Sequence, residues 1–231
     1  LTLERWKQII EKANELGVPV MVDAEESWIQ PAVDELAIQY MRTFNQEKAI
    51  VYNTAQLYRH DRLAQLEGAL ELAKKDNFVY GVKIVRGAYM EKERERAQKM
   101  AYPSPIQPTK AATDKDYNAA LTLILNNLDH MAVVIGTHNE ESVQLAASIL
   151  NDKGLELAHS RVHVAQLFGM SDHISFNAAA AGLNTAKYLP FGPVRDVLPY
   201  LFRRAEENTS VEGQTGRELG LIQKEMQRRR A

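Results

Sequence analysis

The chain has 231 residues, a formal net charge of −2 and no cysteine. These values exclude disulfides, thiolate metal sites and a cysteine nucleophile, and they give no general basic field for nucleic acid. Apolar residues at 45% and charged residues at 25% describe an ordinary globular chain, in which no apolar run reaches the roughly 18 residues of a membrane span.

Leu3, Trp6, Ile9, Ile10 and Ala13 mark a first amphipathic helix, stopped by Gly17. The chain begins inside that helix with Leu1 rather than Met, which predicts a truncated or processed chain and leaves the compartment open. Val18 to Glu25 is an apolar run ending in acids and predicts a buried strand. Ser27-x-x-Gln30 with Pro31 predicts a capping box opening a helix to about Thr43. Ala49 to Gln56 is the next strand, and Asp61 to about Lys75 the next helix. Val79 to Tyr89 predicts a third strand, followed by a highly charged helix from Met90 to Met100. A proline-rich loop, Tyr102 to Thr113, leads into a helix from about Asp114 to Leu128. Met131 to Asn139 is a fourth strand, with Asn139 as the cap of a helix from Glu140 to Asn151. Arg161 to Gly169 is a fifth, followed by a helix to about Gly182, and Tyr188 closes a sixth. A turn through Pro190, Gly192 and Pro193 opens another helix, and Thr215-x-x-Glu218 predicts the capping box of the last one.

Strand and helix alternate six times, and the strands are continuous apolar runs, the signature of a parallel sheet covered by helices. No glycine-rich phosphate fingerprint follows the first strand, which disfavours a dinucleotide-binding doubly wound fold. Polar residues gather at strand ends: Asp23 and Glu25, Asn53 and Gln56, Arg86 and Tyr89, Thr137 to Asn139, and Gln166. Ends that all carry polar groups point to one shared face, so the α/β pattern predicts a TIM-like (β/α) barrel forming a single domain over residues 1–231.

Between Lys187 and Asn208, Tyr200, Arg203, Arg204 and Glu207 fall on one helical face, and Leu198, Leu201, Phe202 and Ala205 on the adjoining one. Such a polar stripe is either a solvated salt-bridge face or a binding surface. Arg203 ahead of Glu207 is the less favourable order for an exposed pair, and the helix follows directly from a strand end. Two adjacent arginines suit a carboxylate or phosphate. Lys83, within an apolar strand, either forms a Schiff base, sets positive charge beside an electron-accepting ring, or snorkels to water. Asp23 either acts as a base, orients a phenol, or only favours the next helix N-terminus. His138 either contacts a ligand oxygen or caps. There is no HExxH, no histidine pair at metal spacing and no GxSxG, so no metal is expected. The residues themselves reach an enzyme-like barrel for a small, partly apolar acid, with no reaction assigned.

The segments VDAEES, YNTAQLY, VKIVRGAY, GTHNEES and the stretch from Tyr188 to Glu207 with YLFRRAEEN, in that order and spacing, resemble the proline dehydrogenase family in the form found in eukaryotes and some bacteria. The resemblance implies a distorted (βα)8 barrel that binds FAD, oxidises L-proline to Δ1-pyrroline-5-carboxylate as the first step of proline catabolism, and passes electrons to a quinone. It implies that Arg203 and Arg204 pair with the substrate carboxylate. Tyr188, Tyr200, Tyr89, Ile84 and Leu167 would wall the ring, with Asp23 holding the Tyr188 hydroxyl. Lys83 would lie near the flavin N5. Gln56, Arg86, Gly87, Lys110, Thr113, His138, Gln166, Arg204 and Glu207 would contact the flavin nucleotide. A tyrosine at Tyr188 would exclude a ring hydroxyl and favour proline over hydroxyproline.

The family barrel has eight strands and the sequence shows six, so the resemblance implies that two strands precede Leu1. An open barrel exposes apolar strand edges and predicts self-association. The basic run Arg228 to Arg230 is either a peripheral contact with an anionic membrane or a solvated helix end. The implied compartment is the bacterial cytoplasm or the inner face of the inner membrane, or the mitochondrial inner membrane in a eukaryote. Two rivals stand beside this reading: a Schiff-base lyase on Lys83, and a barrel fragment without turnover.

Overall fold

The structure is a computed structural model that describes residues 2–210 and 214–230, with the side chains of 2, 203–210, 214–219, 221 and 222 outside the description. Helix α1 (Thr2–Leu16) leads into a two-residue strand, β1 (Val20–Met21). Then follow α2 (Gln30–Phe44), β2 (Val51–Gln56), α3 (Arg62–Asp76), β3 (Tyr80–Val85), α4 (Met90–Met100), α5 (Lys110–Leu125), β4 (Met131–Gly136), α6 (Glu140–Asp152), β5 (Val162–Leu167), α7 (Asp172–Ala180) and β6 (Thr185–Tyr188). Two longer helices, α8 (Val194–Ser210) and α9 (Gln214–Arg230), complete the elements.

The strands pair in chain order, β1 to β6, and every pairing is parallel. A doubly wound sheet reverses its order at a switch point. This sheet does not, and it curls as a half-barrel with helices packed on its outer face. The expected barrel winding and all six strands are therefore present.

The register divides the strands into two faces. Tyr80, Val82 and Ile84 of β3, Met131, Val133 and Ile135 of β4, and Val162 and Val164 of β5 belong to one large core with the helix residues Leu66, Tyr117, Leu121, Ile124 and Leu150. The alternate residues Tyr52, Ala132, Val134 and Ala165 form a second, smaller cluster on the concave side. The two-residue period of a strand puts Lys83, which pairs with Thr54 and Val134, on that concave side as well.

Several element boundaries depart from the expected ones. Strand β3 ends at Val85, four residues short of Tyr89, because the chain turns at Gly87, whose φ is +139°. Ser27 and Gln30 do not form a capping box: α2 begins at Gln30, its N-cap is Ile29 without a side-chain cap bond, and both Ser27 N and Oγ are bound to Glu93. Helix α5 starts at Lys110 rather than Asp114, because Thr109 Oγ1 accepts from Ala112 N at 3.1 Å and caps it inside the proline-rich stretch. The Asn139 cap is present, with Oδ1 accepting from Ser142 N at 3.0 Å. Helix α9 already includes Gln214, so Thr215 lies within it, and the side chains of Thr215 and Glu218 lie outside the described residues.

Two polar side chains, one buried and one half-buried, lock the scaffold. Asn45, at the end of α2, donates from Nδ2 to Val51 O (2.8 Å) and Val79 O (2.9 Å), and its Oδ1 accepts from Ile50 N and Val51 N (both 2.9 Å). Arg161 donates to three carbonyls, Leu128 O, Asp129 O and Glu47 O, and so ties the chain before β5 to the segments before β2 and β4.

Candidate functional site

Because the strands all run the same way, their C-terminal ends open on one face. Gln56 ends β2 and is buried. Its Oε1 accepts from Ala88 N at 3.1 Å and its Nε2 donates to Glu25 O at 2.9 Å. One amide therefore joins the segment after β1 to the turn after β3, across the end of the strand between them. Lys83 extends from the concave face of β3 to the same place, and its Nζ donates to Asp23 Oδ1. The ion pair sets an ammonium largely withdrawn from water, with 15% of its side chain exposed, against a carboxylate with 58% exposed.

Beyond β3, Arg86 is held from several sides. Its Nε donates to Asp114 Oδ1 (2.6 Å), one Nη to Thr137 Oγ1 (2.8 Å) and the other to Ser142 Oγ (3.2 Å). The guanidinium lies 4.3 Å above the centroid of the buried Tyr117 ring. Lys110 Nζ donates to the other Asp114 oxygen at 2.6 Å. Partial burial opposes the charge on Asp114, but hydrogen bonds from Lys110 and Arg86 outweigh it and hold its carboxyl below the usual carboxylate range.

On the other side of the sheet end, His138 Nδ1 lies 2.9 Å from Ser171 Oγ. Ser171 has a left-handed backbone (φ +51°) and is buried. Gln166 accepts from Ser175 Oγ (2.7 Å) and donates to Thr137 O (3.2 Å). Leu167 and Tyr188 are register partners at the ends of β5 and β6. The Tyr188 ring meets the Tyr200 ring of α8 with centroids 5.6 Å apart and planes tilted by 51°. Tyr89, where the chain enters α4, donates to Glu25 Oε2 at 3.4 Å. The site thus offers one ammonium on a concave wall, a tyrosine pair at one side and a rim of Arg86, Lys110 and His138. Among the described residues, no group of three or more His, Asp or Glu is placed to hold a metal ion.

A family model described as proline dehydrogenase matches residues 1–217 of this chain. The chain belongs to the proline dehydrogenase family. It is 43% identical over 230 residues to mitochondrial proline dehydrogenase 1 of Homo sapiens, covering 98% of this chain and 38% of the human one. It is 42% identical over 225 residues to the carbapenem antibiotics biosynthesis protein CarD of Pectobacterium carotovorum subsp. carotovorum, covering 97% of this chain and 57% of that one. A crystal structure of proline utilization A from Bdellovibrio bacteriovorus inactivated by N-propargylglycine superposes with a TM-score of 0.84 at 24% identity, over 91% of this chain and 22% of the other. That likeness shows the fold, a TIM-like barrel. The chain spans well under half the length of the human relative.

Of the residues that the proline dehydrogenase resemblance selects, the structure brings Asp23, Gln56, Lys83, Gly87, Tyr89, Leu167, Tyr188 and Tyr200 to the strand-end face. It does not bring Ile84 there. Ile84 is fully buried among the helix-facing residues, because it alternates with Lys83 and so points the opposite way. Its neighbour Val85 shares the concave side with Lys83: a Cβ built on Gly136 would lie 2.9 Å from Val85 Cγ1 and 3.8 Å from Lys83 Cγ. Gln166 likewise sits on the helix-facing side, 2% exposed, with its amide committed to Ser175 and Thr137. Thr113 is buried within α5, where its hydroxyl donates to Thr109 O at 3.4 Å. Arg203, Arg204 and Glu207 belong to the helical backbone of α8, but their side chains lie outside the described residues. Glu93 received no role from sequence, and Ser27 only that of a helix cap; the structure joins the two. A charged helix such as Met90 to Met100 gave no sign that one of its glutamates would be fully buried.

Proposed function

We propose that this chain is the barrel region of an FAD-dependent enzyme that oxidises L-proline to Δ1-pyrroline-5-carboxylate and passes the electrons to a quinone. Family membership supports the chemistry, and the observation that carries the reading here is the Lys83–Asp23 pair on the concave wall. The residues fit a flavin nucleotide. A partly apolar concave wall (Val85, Leu167) lies beside an ammonium, and Arg86 and Lys110 give the rim cations suited to a pyrophosphate. When bound, FAD supplies the acceptor for the hydride that leaves the proline carbon next to nitrogen.

The chain's own residues do the positioning. Arg203 and Arg204 take the substrate carboxylate as a bidentate partner, which fixes the orientation of the ring. Tyr188 and Tyr200, whose rings meet, wall one side of that ring, and Tyr188 excludes a ring hydroxyl. Lys83 places positive charge where negative charge develops on the acceptor, and Asp23 holds the ammonium at that spot. Gln56, Gly87 and His138 line the remaining strand ends. Relatives from Homo sapiens and Arabidopsis thaliana are named mitochondrial. A quinone acceptor suits the mitochondrial inner membrane in a eukaryote, and the cytoplasm or the inner face of the inner membrane in a bacterium. Among the described residues no helix is long and apolar enough to cross a membrane.

The test is the visible absorption spectrum of the protein that contains this chain, before and after anaerobic addition of L-proline. A flavin spectrum that bleaches with L-proline and not with hydroxyproline supports the reading. A flavin spectrum unmoved by L-proline overturns the substrate, and a purified, folded protein without flavin overturns the cofactor.

A further inference from the structure

Helix α4 presents an unusual face. Glu93 is 0% exposed, a carboxylate wholly withdrawn from water. A buried carboxylate needs donors to be tolerated, and both of its donors come from one residue 66 positions away. Ser27 N donates to Oε1 at 2.5 Å and Ser27 Oγ donates to Oε2 at 2.7 Å. One residue earlier in the helix, Lys92 Nζ donates to Glu26 Oε1. One turn later, the Arg96 guanidinium lies 4.2 Å above the Trp28 ring. Tyr89, where the helix begins, donates to Glu25 Oε2. Four consecutive residues, Glu25 to Trp28, are thus gripped in order by four residues of one helical face.

The gripped segment directly follows Asp23, the partner of Lys83. Strand β1 contributes only two residues of ladder before it, and beyond Val22 strand β2 reaches this segment through the Gln56 side chain, which donates to Glu25 O. We propose that Glu93 is a positioning residue: by anchoring Ser27 it fixes the segment from Asp23 to Glu25, and through it the Lys83 ammonium and the substrate wall. The proposal rests on the site described under the proposed function, because the strand-end face is the place it organises.

The test uses the flavin-loaded, full-length protein and the variants Glu93→Gln, Ser27→Ala and Ser27→Thr. Two quantities are read: amide hydrogen exchange over residues 22–30, and KM and kcat for L-proline. Glu93→Gln and Ser27→Ala accelerate exchange over 22–30 by about tenfold or more, while β3 and β4 keep their protection. In the same variants kcat/KM falls by roughly tenfold or more, with most of the loss in KM, as expected when a binding wall is displaced by a fraction of an ångström. Ser27→Thr keeps both donors and behaves as the parent protein. Exchange that is unchanged over 22–30, or that rises equally in β3 and β4, overturns the proposal, as does faster local exchange with KM and kcat unaltered. If the parent protein does not oxidise L-proline the proposed function fails, and the exchange arm still decides whether Glu93 anchors the segment.

Discussion

Lys83 and Asp23 meet across an intervening strand. Lys83 belongs to β3 and Asp23 follows β1, so the ion pair spans the end of β2 and links two elements that do not pair with each other. The contact is a matter of site geometry more than stability, since Asp23 is largely exposed and such pairs contribute about 0–1 kcal/mol. Replacing Lys83 with Met is expected to leave the urea midpoint nearly unchanged and to slow flavin reduction by L-proline by roughly 10²–10³-fold, the usual cost of removing a preorganised charge. Asp23→Asn keeps the shape and is expected to cost about tenfold. Stopped-flow absorbance of the loaded enzyme measures both. A Lys83→Met enzyme as fast as the parent removes Lys83 from the chemistry.

Gly87 makes the turn that ends β3. Its φ of +139° is a region that side chains rarely adopt, and a Cβ there would lie 2.5 Å from Tyr58 Cγ. The Tyr58 ring is buried and cannot swing away. Gly87→Ala is therefore expected to destabilise the fold by about 2–4 kcal/mol and to displace Ala88 from Gln56. Urea denaturation with the parent protein as control checks it, and a loss below about 1 kcal/mol is incompatible with this turn.

Asp61 predicts a limb in the acid stability profile. Burial opposes its charge, but hydrogen bonds from Arg62 and Arg59 outweigh burial and hold its carboxyl well below the usual range. A carboxyl depressed in the folded state contributes stability in full above its unfolded pKa of about 3.9. That stability is lost as the pH falls below that value and through the folded pKa. The urea midpoint of the parent is expected to fall steadily below about pH 4. Asp61→Asn is expected to be less stable at neutral pH and to lose less over the acid range. Parallel profiles for the two proteins sink the assignment.

Asn45 has both donors and its acceptor satisfied in a fully buried position. Asn45→Leu is close in volume but strands two carbonyls and two N–H groups, at about 1–3 kcal/mol for each one left unmet. A loss of at least about 3 kcal/mol in urea unfolding is expected. A smaller loss means that other groups or water replace the amide.

The elements were legible where hydrophobic runs alternate with amphipathic stretches, and the shared face followed from polar residues at strand ends. What was not legible depended on which way a side chain turns, or on partners far apart in sequence. In the segment from Val79 to Val85 both faces are apolar apart from Lys83, so no polarity pattern separates Ile84 from Val85, and the motif match alone assigned Ile84 to the site. Ser27 and Gln30 satisfy the spacing of a capping box, but Ser27 bonds to Glu93 and the Gln30 Oε1 accepts from Glu25 N at 2.8 Å. The local rule lost to a tertiary contact. Thr109 as a helix cap was masked by the prolines around it, although a threonine before a Lys-Ala-Ala run is itself a helix-start signal.

Strands that pair strictly in chain order also imply an order of assembly. Each new strand needs only its predecessor as a template, separated from it by one helix, or by two between β3 and β4, so the loops to be closed stay local and the sheet grows by accretion from β2 toward β6. During synthesis the Lys83 wall, made from β2, β3 and β4, is complete while the Tyr188 end of the sheet is still unmade. The Tyr188–Tyr200 ring pair therefore joins last, onto a wall already in place.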